Sequence, residues 1–546
     1  MPNRMNRTVK NSIVLVLLIF CVYGFFFPQL PVVNADELWE TSRAYYMKTM
    51  HKPGEPLLPE SVAPFYSSIG NMGWKSWCIL SVKTGTFVSM MYLLPVSELL
   101  AMRYGMFLWS LLACLFTFLV ARQLKLNKWY ALLAVAILIA IPDFFNQIHR
   151  ERSEIMISAC LMMGVFVFNN VMRIENESKR KLSLLLLGLL AWFPSLLIHP
   201  SAIVIPGVLG LVYLIPRWRG LFSLQTILFG VGLIAGAFCF LYIMNEMKEF
   251  AFAAGGGNYF QYQGPPVILK GWKYVISIPY AFYNKFFVAN FLSRPISFLI
   301  FVSAFILIVA QIRKKIEIIK ENSDLVLISI SIFFTLLMLY LLSGSFGSFN
   351  VIVAPFIAIV LTMFYSQRAE LKVPSKNLGP VLTTLLLLVF LSNAIGLGRD
   401  IKMAKEYNRI TEHVKEKITD KSAVLGLALY YNPFKDQPFY SNSWFNPYGG
   451  RAEQSFEEAV LVLKVKYVIL DDAFVGRALL DRGRPWTDSM FVYLHQHGKV
   501  VDDISANYFV GNRVPSPEFY SADWKYEGQT KSYIKRIQII MLIDNE

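Results

Sequence analysis

The sequence predicts a polytopic α-helical membrane protein with about eleven transmembrane helices and a small C-terminal α/β domain. The chain of 546 residues is 55% hydrophobic and only 16% charged, with a mean hydropathy of +0.46. A soluble domain is nearer a quarter charged. The apolar residues also form runs of about 16–22 residues, and a run of about 18 spans the roughly 30 Å hydrocarbon core as a helix. These two observations predict the membrane region.

The first predicted span covers residues 13–27 and follows the basic residues Arg4, Arg7 and Lys10. A cleaved signal peptide shows the same order, and residues 33–35 (Val-Asn-Ala) resemble a cleavage site. The apolar run is long for a signal peptide, so we expect an uncleaved first helix.

Ten further apolar runs predict the remaining spans. They cover residues 103–120, 129–145, 155–172, 182–198, 201–216, 222–244, 296–312, 325–342, 350–365 and 379–397. The short loops on one side hold 19 Lys and Arg residues, whereas those on the other hold 2. The positive-inside rule therefore predicts a cytoplasmic N-terminus in the plasma membrane. Residues 1–397 form the predicted membrane domain, and residues 398–546 form the predicted extracytoplasmic domain.

The net charge of +15 does not predict nucleic-acid binding, because the basic residues lie mainly in short loops between apolar runs. The five cysteines show no CxxC or Cys/His spacing and lie mainly within or beside apolar runs. They are therefore expected to pack as small apolar residues rather than to form disulfides or a zinc site. We expect neither a metal nor another cofactor.

Two long outer loops and the tail add structure outside the bilayer. The loop at 28–102 begins with an amphipathic stretch, Asp36–Met50, and the piece Gly73–Trp77 is similar, which predicts interfacial helices. The second long loop covers residues 245–295. In the tail, a helix over Ser455–Leu463 leads into a strand over Tyr467–Asp472, a rhythm typical of an α/β or α+β domain.

Ionisable residues gather at the outer ends of the spans, which predicts a site at the membrane–water boundary. Asp36-Glu37 follows the first span by about nine residues. Acidic residues also favour a helix N-terminus, and capping is the alternative interpretation. Held near the bilayer surface, a carboxylate here is placed to accept a proton from an attacking hydroxyl.

Cationic and acidic side chains in the other outer segments are the predicted substrate-binding residues. Arginine is suited to phosphate oxygens, although a solvated turn, a helix cap, snorkelling or headgroup contacts explain individual members equally well. The set comprises Arg43, Arg103, His149, Arg150, Arg152, Glu154, His199, Lys270 and Lys273.

In this order, the elements resemble the GT-C superfamily of polyprenyl-phosphate-sugar-dependent glycosyltransferases, especially bacterial relatives of protein O-mannosyltransferases and aminoarabinose transferases. Asp36-Glu37 matches the acidic pair of the first outer loop, and Pro142-Asp143-Phe144 matches a Pro-x-Phe element. Ala101-Met102-Arg103 matches only loosely, and Arg152-Ser153-Glu154 carries Glu where Asp is commoner.

The resemblance implies an inverting transfer of a sugar from a polyprenyl-phosphate donor to a hydroxyl acceptor of the cell envelope. Asp36 is implied to be the general base, and Glu37 to orient the site. Outer-loop cations are implied to stabilise the leaving phosphate, and a monophosphate donor needs a metal less than a nucleotide diphosphate does.

Three alternatives remain at this stage. An O-antigen ligase or polymerase type of enzyme also uses outer loops, but characteristically lacks an Asp-Glu pair just after the first span. A lipid or solute transporter predicts polar residues and broken helices in mid-bilayer, and the spans are nearly free of them. A non-catalytic assembly protein would use the tail as a binding module.

Overall fold

The computed structural model describes a large part of the helical bundle and of the C-terminal sheet region. The described residues are 5–29, 33, 35–51, 57, 81–150, 152–214, 222–253, 350–366, 398, 400–441, 455–475, 485–515 and 530–543. The predicted spans at 296–312, 325–342 and 379–397, the stretch Gly73–Trp77, and Lys270 and Lys273 lie outside them.

In the described part of the membrane region, the regular secondary structure is helical. They are α1 (Arg7–Phe26), α2 (Ala35–Met50), α3 (Ser81–Leu93), α4 (Glu98–Gln123), α5 (Lys128–Ala140), α6 (Ser153–Met172), α7 (Glu177–Leu190), α8 (Val204–Leu214), α9 (Leu224–Ala253) and α10 (Asn350–Ser366). Within these residues, five stretches are long and apolar enough to cross a membrane: α1, α4, α6, residues 177–197 and residues 224–243. The predicted multi-pass membrane protein is confirmed, and the count of eleven spans stays a prediction.

Two predicted spans are each divided into two helical pieces. The span at 129–145 is a helix that Asn127 caps and that ends at Ala140, followed by a helical turn at Pro142–Phe145. The span at 182–198 breaks after Leu190, and a short helix resumes at Phe193–Leu197. A proline stands at the start of each second piece, where its missing N–H and fixed φ are tolerated.

Helices pack closely around α4 in the core of the bundle, and α7 packs closely on α9. Helix α4 packs against α3, α5 and α6. Helices α7 and α9 cross at glycines, and a Cβ on Gly232 would lie 2.2 Å from the carbonyl oxygen of Leu185. A Cβ on Gly188 would lie 2.7 Å from the carbonyl oxygen of Phe229. The two backbones are therefore in contact, as small residues permit in membrane helices.

The C-terminal region, residues 400–543, is built on a five-stranded mixed sheet. After helix α11 (400–417) come strands β1 (Ala423–Gly426), β2 (Phe439–Ser441), β3 (Val465–Asp471), β4 (Gly498–Pro515) and β5 (Thr530–Leu542), in the order β2-β1-β3-β5-β4. Strand β1 pairs in parallel with β2 and β3, and β5 pairs antiparallel with β3 and β4.

Among the described residues of this region, two further helices accompany the sheet, α12 (Phe456–Leu463) and α13 (Pro485–His497). The sequence predicts both α12 and the strand β3 that follows it. Ser455 caps α12 in a capping box with Glu458, which satisfies two exposed N–H groups at once. Lys464, in the left-handed conformation, connects α12 directly to β3. The domain boundary at 397/398 stays a prediction.

The sheet region lies on the end of the bundle at which α1 ends and α4 begins. Lys435 pairs with Glu98 at 3.0 Å, and the Tyr45 hydroxyl lies 3.2 Å from an oxygen of Asp436. Apolar contacts accompany these polar ones, because Leu38 of α2 packs within the hydrophobic core of the sheet region. Helix α2 is thus enclosed between the bundle and the sheet.

Candidate functional site

Helix α2 presents acidic residues on a buried face. Glu37, Glu40, Thr41 and Ala44 follow the three- and four-residue spacing that places side chains on one side of a helix, and all four are buried. The Thr41 hydroxyl donates to the carbonyl oxygen of Glu37 within the helix. Helix α2 contacts α3 and α4. A buried carboxylate needs a compensating cation or hydrogen bonds, so the partners of Glu37 and Glu40 define the site.

Glu37 forms a buried ion pair with Arg103 of α4. An oxygen of Glu37 lies 3.0 Å from an Nη of Arg103, and the side chains are 0% and 1% exposed. The other Nη of Arg103 donates to the carbonyl oxygen of Pro28 at 2.9 Å. The predicted span starts at Arg103, whereas α4 begins at Glu98. Arg103 therefore lies inside the helix and faces protein, which excludes the snorkelling interpretation.

Glu40 is the centre of a second charged group. One of its oxygens lies 3.1 Å from Lys83 Nζ and 2.9 Å from an Nη of Arg43. Burial alone would raise the pKa of Glu40, but the charges of Lys83 and Arg43 hold it below its usual value. Glu40 is therefore a charged carboxylate between two cations, in contact with helix α3.

His199 and Glu154 belong to the same group. The charges of Lys83, Glu154 and Glu40 all act on the His199 ring. Burial, reinforced by Lys83, lowers the pKa of His199 below its usual value, so the ring is neutral at neutral pH. The term "site cluster" is used below for the full group. It comprises Glu37, Glu40, Arg43, Lys83, Arg103, Glu154 and His199.

The loop between α5 and α6 connects the site cluster to neighbouring elements. His149 is buried, with its ring nitrogens 3.5 Å from the carbonyl oxygen of Arg103 and 3.3 Å from that of Tyr23. Burial, with the nearby Arg103 charge adding to it, lowers the pKa of His149 to about 4. The neutral His149 ring lies between α1 and α4, and its single N–H can donate to only one of the two carbonyl oxygens at a time. Arg150 pairs with Asp400 of the sheet region at 3.3 Å.

The structure brings five of the predicted site residues into the site cluster: Glu37, Arg43, Arg103, Glu154 and His199. His149 and Arg150 lie beside it, and Arg152 is the half-buried residue that precedes α6. Asp36 lies in the first turn of α2, but its side chain is outside the described part of the structure. Lys270 and Lys273 lie wholly outside the described residues.

Sequence reasoning missed Glu40, Lys83 and Asp400. The spacing of Glu40 three residues after Glu37 was the available signal, because it places both on one helix face. Lys83 and Asp400 lie outside any motif. Within the described ranges, no group of three His, Cys, Asp or Glu side chains is arranged to hold a metal ion.

The sequence matches no protein-family model and no curated protein. The structure is similar to ArnT from Cupriavidus metallidurans bound to undecaprenyl phosphate, with a TM-score of 0.56, 11% identity, and coverage of 98% of this chain and 99% of that one. Apo ArnT gives 0.55 at 10% identity, covering 97% and 98%. The Archaeoglobus fulgidus oligosaccharyltransferase tethered to an acceptor peptide gives 0.49 at 12% identity, covering 90% and 72%.

At these identities the similarity concerns the fold. The ArnT match extends over nearly the whole of both chains, so it includes the membrane helices and the C-terminal region together. The chain therefore shares the fold of ArnT over nearly its whole length.

Proposed function

We propose that the protein is an inverting glycosyltransferase that moves a sugar from a polyprenyl-phosphate-linked donor to a hydroxyl acceptor of the cell envelope. One observation carries the proposal: the charged site cluster is buried at one end of a helical bundle with the fold of ArnT. The undecaprenyl phosphate bound to ArnT supports the donor class. The loop charges support an outer-face site with a cytoplasmic N-terminus.

The proposed reaction is a single displacement at the anomeric carbon of the donor sugar. Asp36 accepts the proton of the acceptor hydroxyl while that oxygen attacks the anomeric carbon. The bond from this carbon to the phosphate oxygen breaks on the opposite face, which inverts the configuration. The products are the glycosylated acceptor and the polyprenyl phosphate.

The leaving phosphate needs positive charge, which the site cluster provides. Lys83 and Arg43 are both paired with Glu40, so one carboxylate balances only part of the charge of the two cations. In the proposed complex the phosphate shares these cations, and preorganised cations stabilise the charge that develops during bond breaking. Glu154, His199, Arg152, Lys270 and Lys273 are proposed to complete the substrate contacts.

Glu37 and Arg103 are proposed to position the site rather than to contact the donor. The ion pair with Glu37 and the hydrogen bond to the Pro28 carbonyl oxygen use both Nη groups of Arg103 within the protein. They hold the first turn of α2, where Asp36 lies, against α4. The proposed chemistry uses no metal.

The test is transfer by Asp36→Asn in purified protein reconstituted in lipid. Wild type and variant receive radiolabelled polyprenyl-phosphate sugars together with an envelope extract. We expect the variant to transfer sugar about 10²- to 10⁴-fold more slowly, the usual contribution of a general base. The matched control is Glu177→Gln, which removes an exposed acidic group from the first turn of α7.

If Asp36→Asn transfers sugar as fast as the control Glu177→Gln does, the assignment of Asp36 as the general base is contradicted. A wild type that releases no sugar from any polyprenyl-phosphate donor, but carries lipid or solute across vesicles, contradicts the transferase and favours the transporter alternative.

A further inference from the structure

The segment leading into α2 is held from two sides. On the bundle side, Arg103 binds the carbonyl oxygen of Pro28 at 2.9 Å and the Glu37 side chain at 3.0 Å. On the sheet side, the hydroxyl of Tyr508 donates to the carbonyl oxygen of Val33. The held points flank Asp36, three residues after Val33 and one before Glu37.

The sheet fixes the position of the Tyr508 side chain. Tyr508 lies on β4 opposite Ile534 of β5, and its side chain is fully buried. Its ring centroid lies 5.8 Å from that of Tyr407, whose hydroxyl donates to the carbonyl oxygen of Leu429. Val33 belongs to the same hydrophobic core. The Tyr508 hydroxyl is therefore a rigid donor, because ring packing and strand pairing leave it little freedom.

We propose that Tyr508 is a positioning residue for sugar transfer, which sets the position of the segment that carries Asp36 and Glu37. The inference rests on the proposed transferase function. It makes the C-terminal sheet part of the catalytic geometry. Catalysis is sensitive to such placement, since a shift of about 1 Å in a reacting group can cost about 10²-fold in rate.

The test compares Tyr508→Phe with Tyr407→Phe. Each change removes one hydroxyl that donates to a backbone carbonyl, and each leaves the ring to pack. The Tyr407 bond lies wholly within the sheet region, whereas the Tyr508 bond reaches the segment before α2. We expect Tyr508→Phe to lower kcat about 10- to 100-fold. Tyr407→Phe should stay near the wild-type kcat, and both variants should keep the wild-type KM for the donor.

Hydrogen–deuterium exchange of peptides covering residues 28–37 provides a second measurement that needs no substrate. We expect faster exchange in Tyr508→Phe than in wild type and Tyr407→Phe, at equal thermal midpoints of the two variants. A kcat for Tyr508→Phe equal to that of Tyr407→Phe overturns the positioning role. Equal exchange of residues 28–37 in both variants overturns the inference that the Tyr508 hydroxyl holds this segment.

The two measurements separate the failure of this inference from the failure of the proposed function. If the wild type transfers no sugar, the positioning role of Tyr508 in sugar transfer is overturned together with the proposed transferase function. The exchange result then decides independently whether the hydroxyl holds the segment.

Discussion

Two buried carboxylates in different regions of the molecule have opposite electrostatic surroundings. Glu40, at the end of the bundle, lies between Lys83 and Arg43, and these charges hold its pKa below the usual value despite burial. Asp471, on the central strand of the sheet, accepts from the Tyr430 hydroxyl at 2.6 Å and the Phe474 N–H at 2.7 Å. Burial raises the pKa of Asp471 to about 7, although these hydrogen bonds oppose it.

The comparison shows that the partner, rather than burial, decides the charge of an acidic side chain. Both groups are removed from water, but only the site cluster supplies cations to Glu40. The bundle end therefore holds formal charges in place, as a site for a phosphate substrate requires. The sheet instead uses an acid with a raised pKa to connect β3 with the turn containing Tyr430.

The largest expected effect is the loss of a buried countercharge in the site cluster. Arg103→Met leaves Glu37 buried without this cation, and removing one partner of a buried pair costs about 3–5 kcal/mol. We expect a corresponding fall in the free energy of unfolding, measured by denaturant titration in detergent micelles. The double variant Glu37→Leu/Arg103→Met should recover most of the loss, because no uncompensated charge remains.

If the double variant is as unstable as Arg103→Met, the loss comes from the packing of the arginine stem and its bond to Pro28. The contrast between carboxylates with and without a cationic partner would then not explain the stability of this end of the bundle.

An intermediate effect is expected from the pH dependence of the sheet. The pKa of Asp471 is about 7 in the folded protein against an ordinary value of 3.8. The folded state therefore binds the proton more tightly, and this contribution to stability is complete below about pH 4 and is lost as the pH rises through 7. Linkage gives a slope on the order of 1 kcal/mol per pH unit in this window. Unfolding of the wild type followed by circular dichroism between pH 5 and 8 should show the decline.

The variant Asp471→Asn should remove this slope, since a neutral amide oxygen can still accept both hydrogen bonds. The control is Asp503→Asn. A hydrogen bond from Arg536 holds the pKa of Asp503 below its usual value, so its contribution changes only at lower pH and the slope should persist. A slope that survives in Asp471→Asn assigns the pH dependence to another group.

The smallest effect is expected from an exposed pair between the two regions. Lys435 and Glu98 lie 3.0 Å apart, with side chains 34% and 21% exposed. Surface pairs typically contribute about 0–1 kcal/mol, so Lys435→Met should change the free energy of unfolding by less than about 1 kcal/mol. The difference between wild type and variant should shrink further at high salt. A loss as large as that of Arg103→Met would show that this pair, too, is effectively buried.

Local patterns in the sequence were sufficient to predict helix α2, from its amphipathic pattern, and the pair α12–β3. Hydropathy alone did not predict the breaks at Pro142 and Pro194, because a window average does not register where one residue lacks an N–H donor. It also placed the start of α4 at Arg103, since a charged residue ends an apolar run even when a partner buries it.

The partners of the charged residues were not predictable, because they come from segments far apart in the chain. Lys83 reaches Glu40 from α3, and Asp400 reaches Arg150 across 250 residues. The order of the strands was not predictable for the same reason. Strand β3 pairs in parallel with β1 and antiparallel with β5. Spacing rules concern neighbours on one element and carry no information on which elements meet.

The contact between Tyr508 and Val33 has a consequence for biosynthesis. The two residues are 475 positions apart, so the ribosome has produced nearly the whole polypeptide before the bond can form. The first helix and α2 are synthesised early, while their final alignment waits for β4. Nascent chains interrupted before residue 508 therefore contain Asp36 and Glu37 without the strand that aligns them, and the completed tail determines when the protein matures.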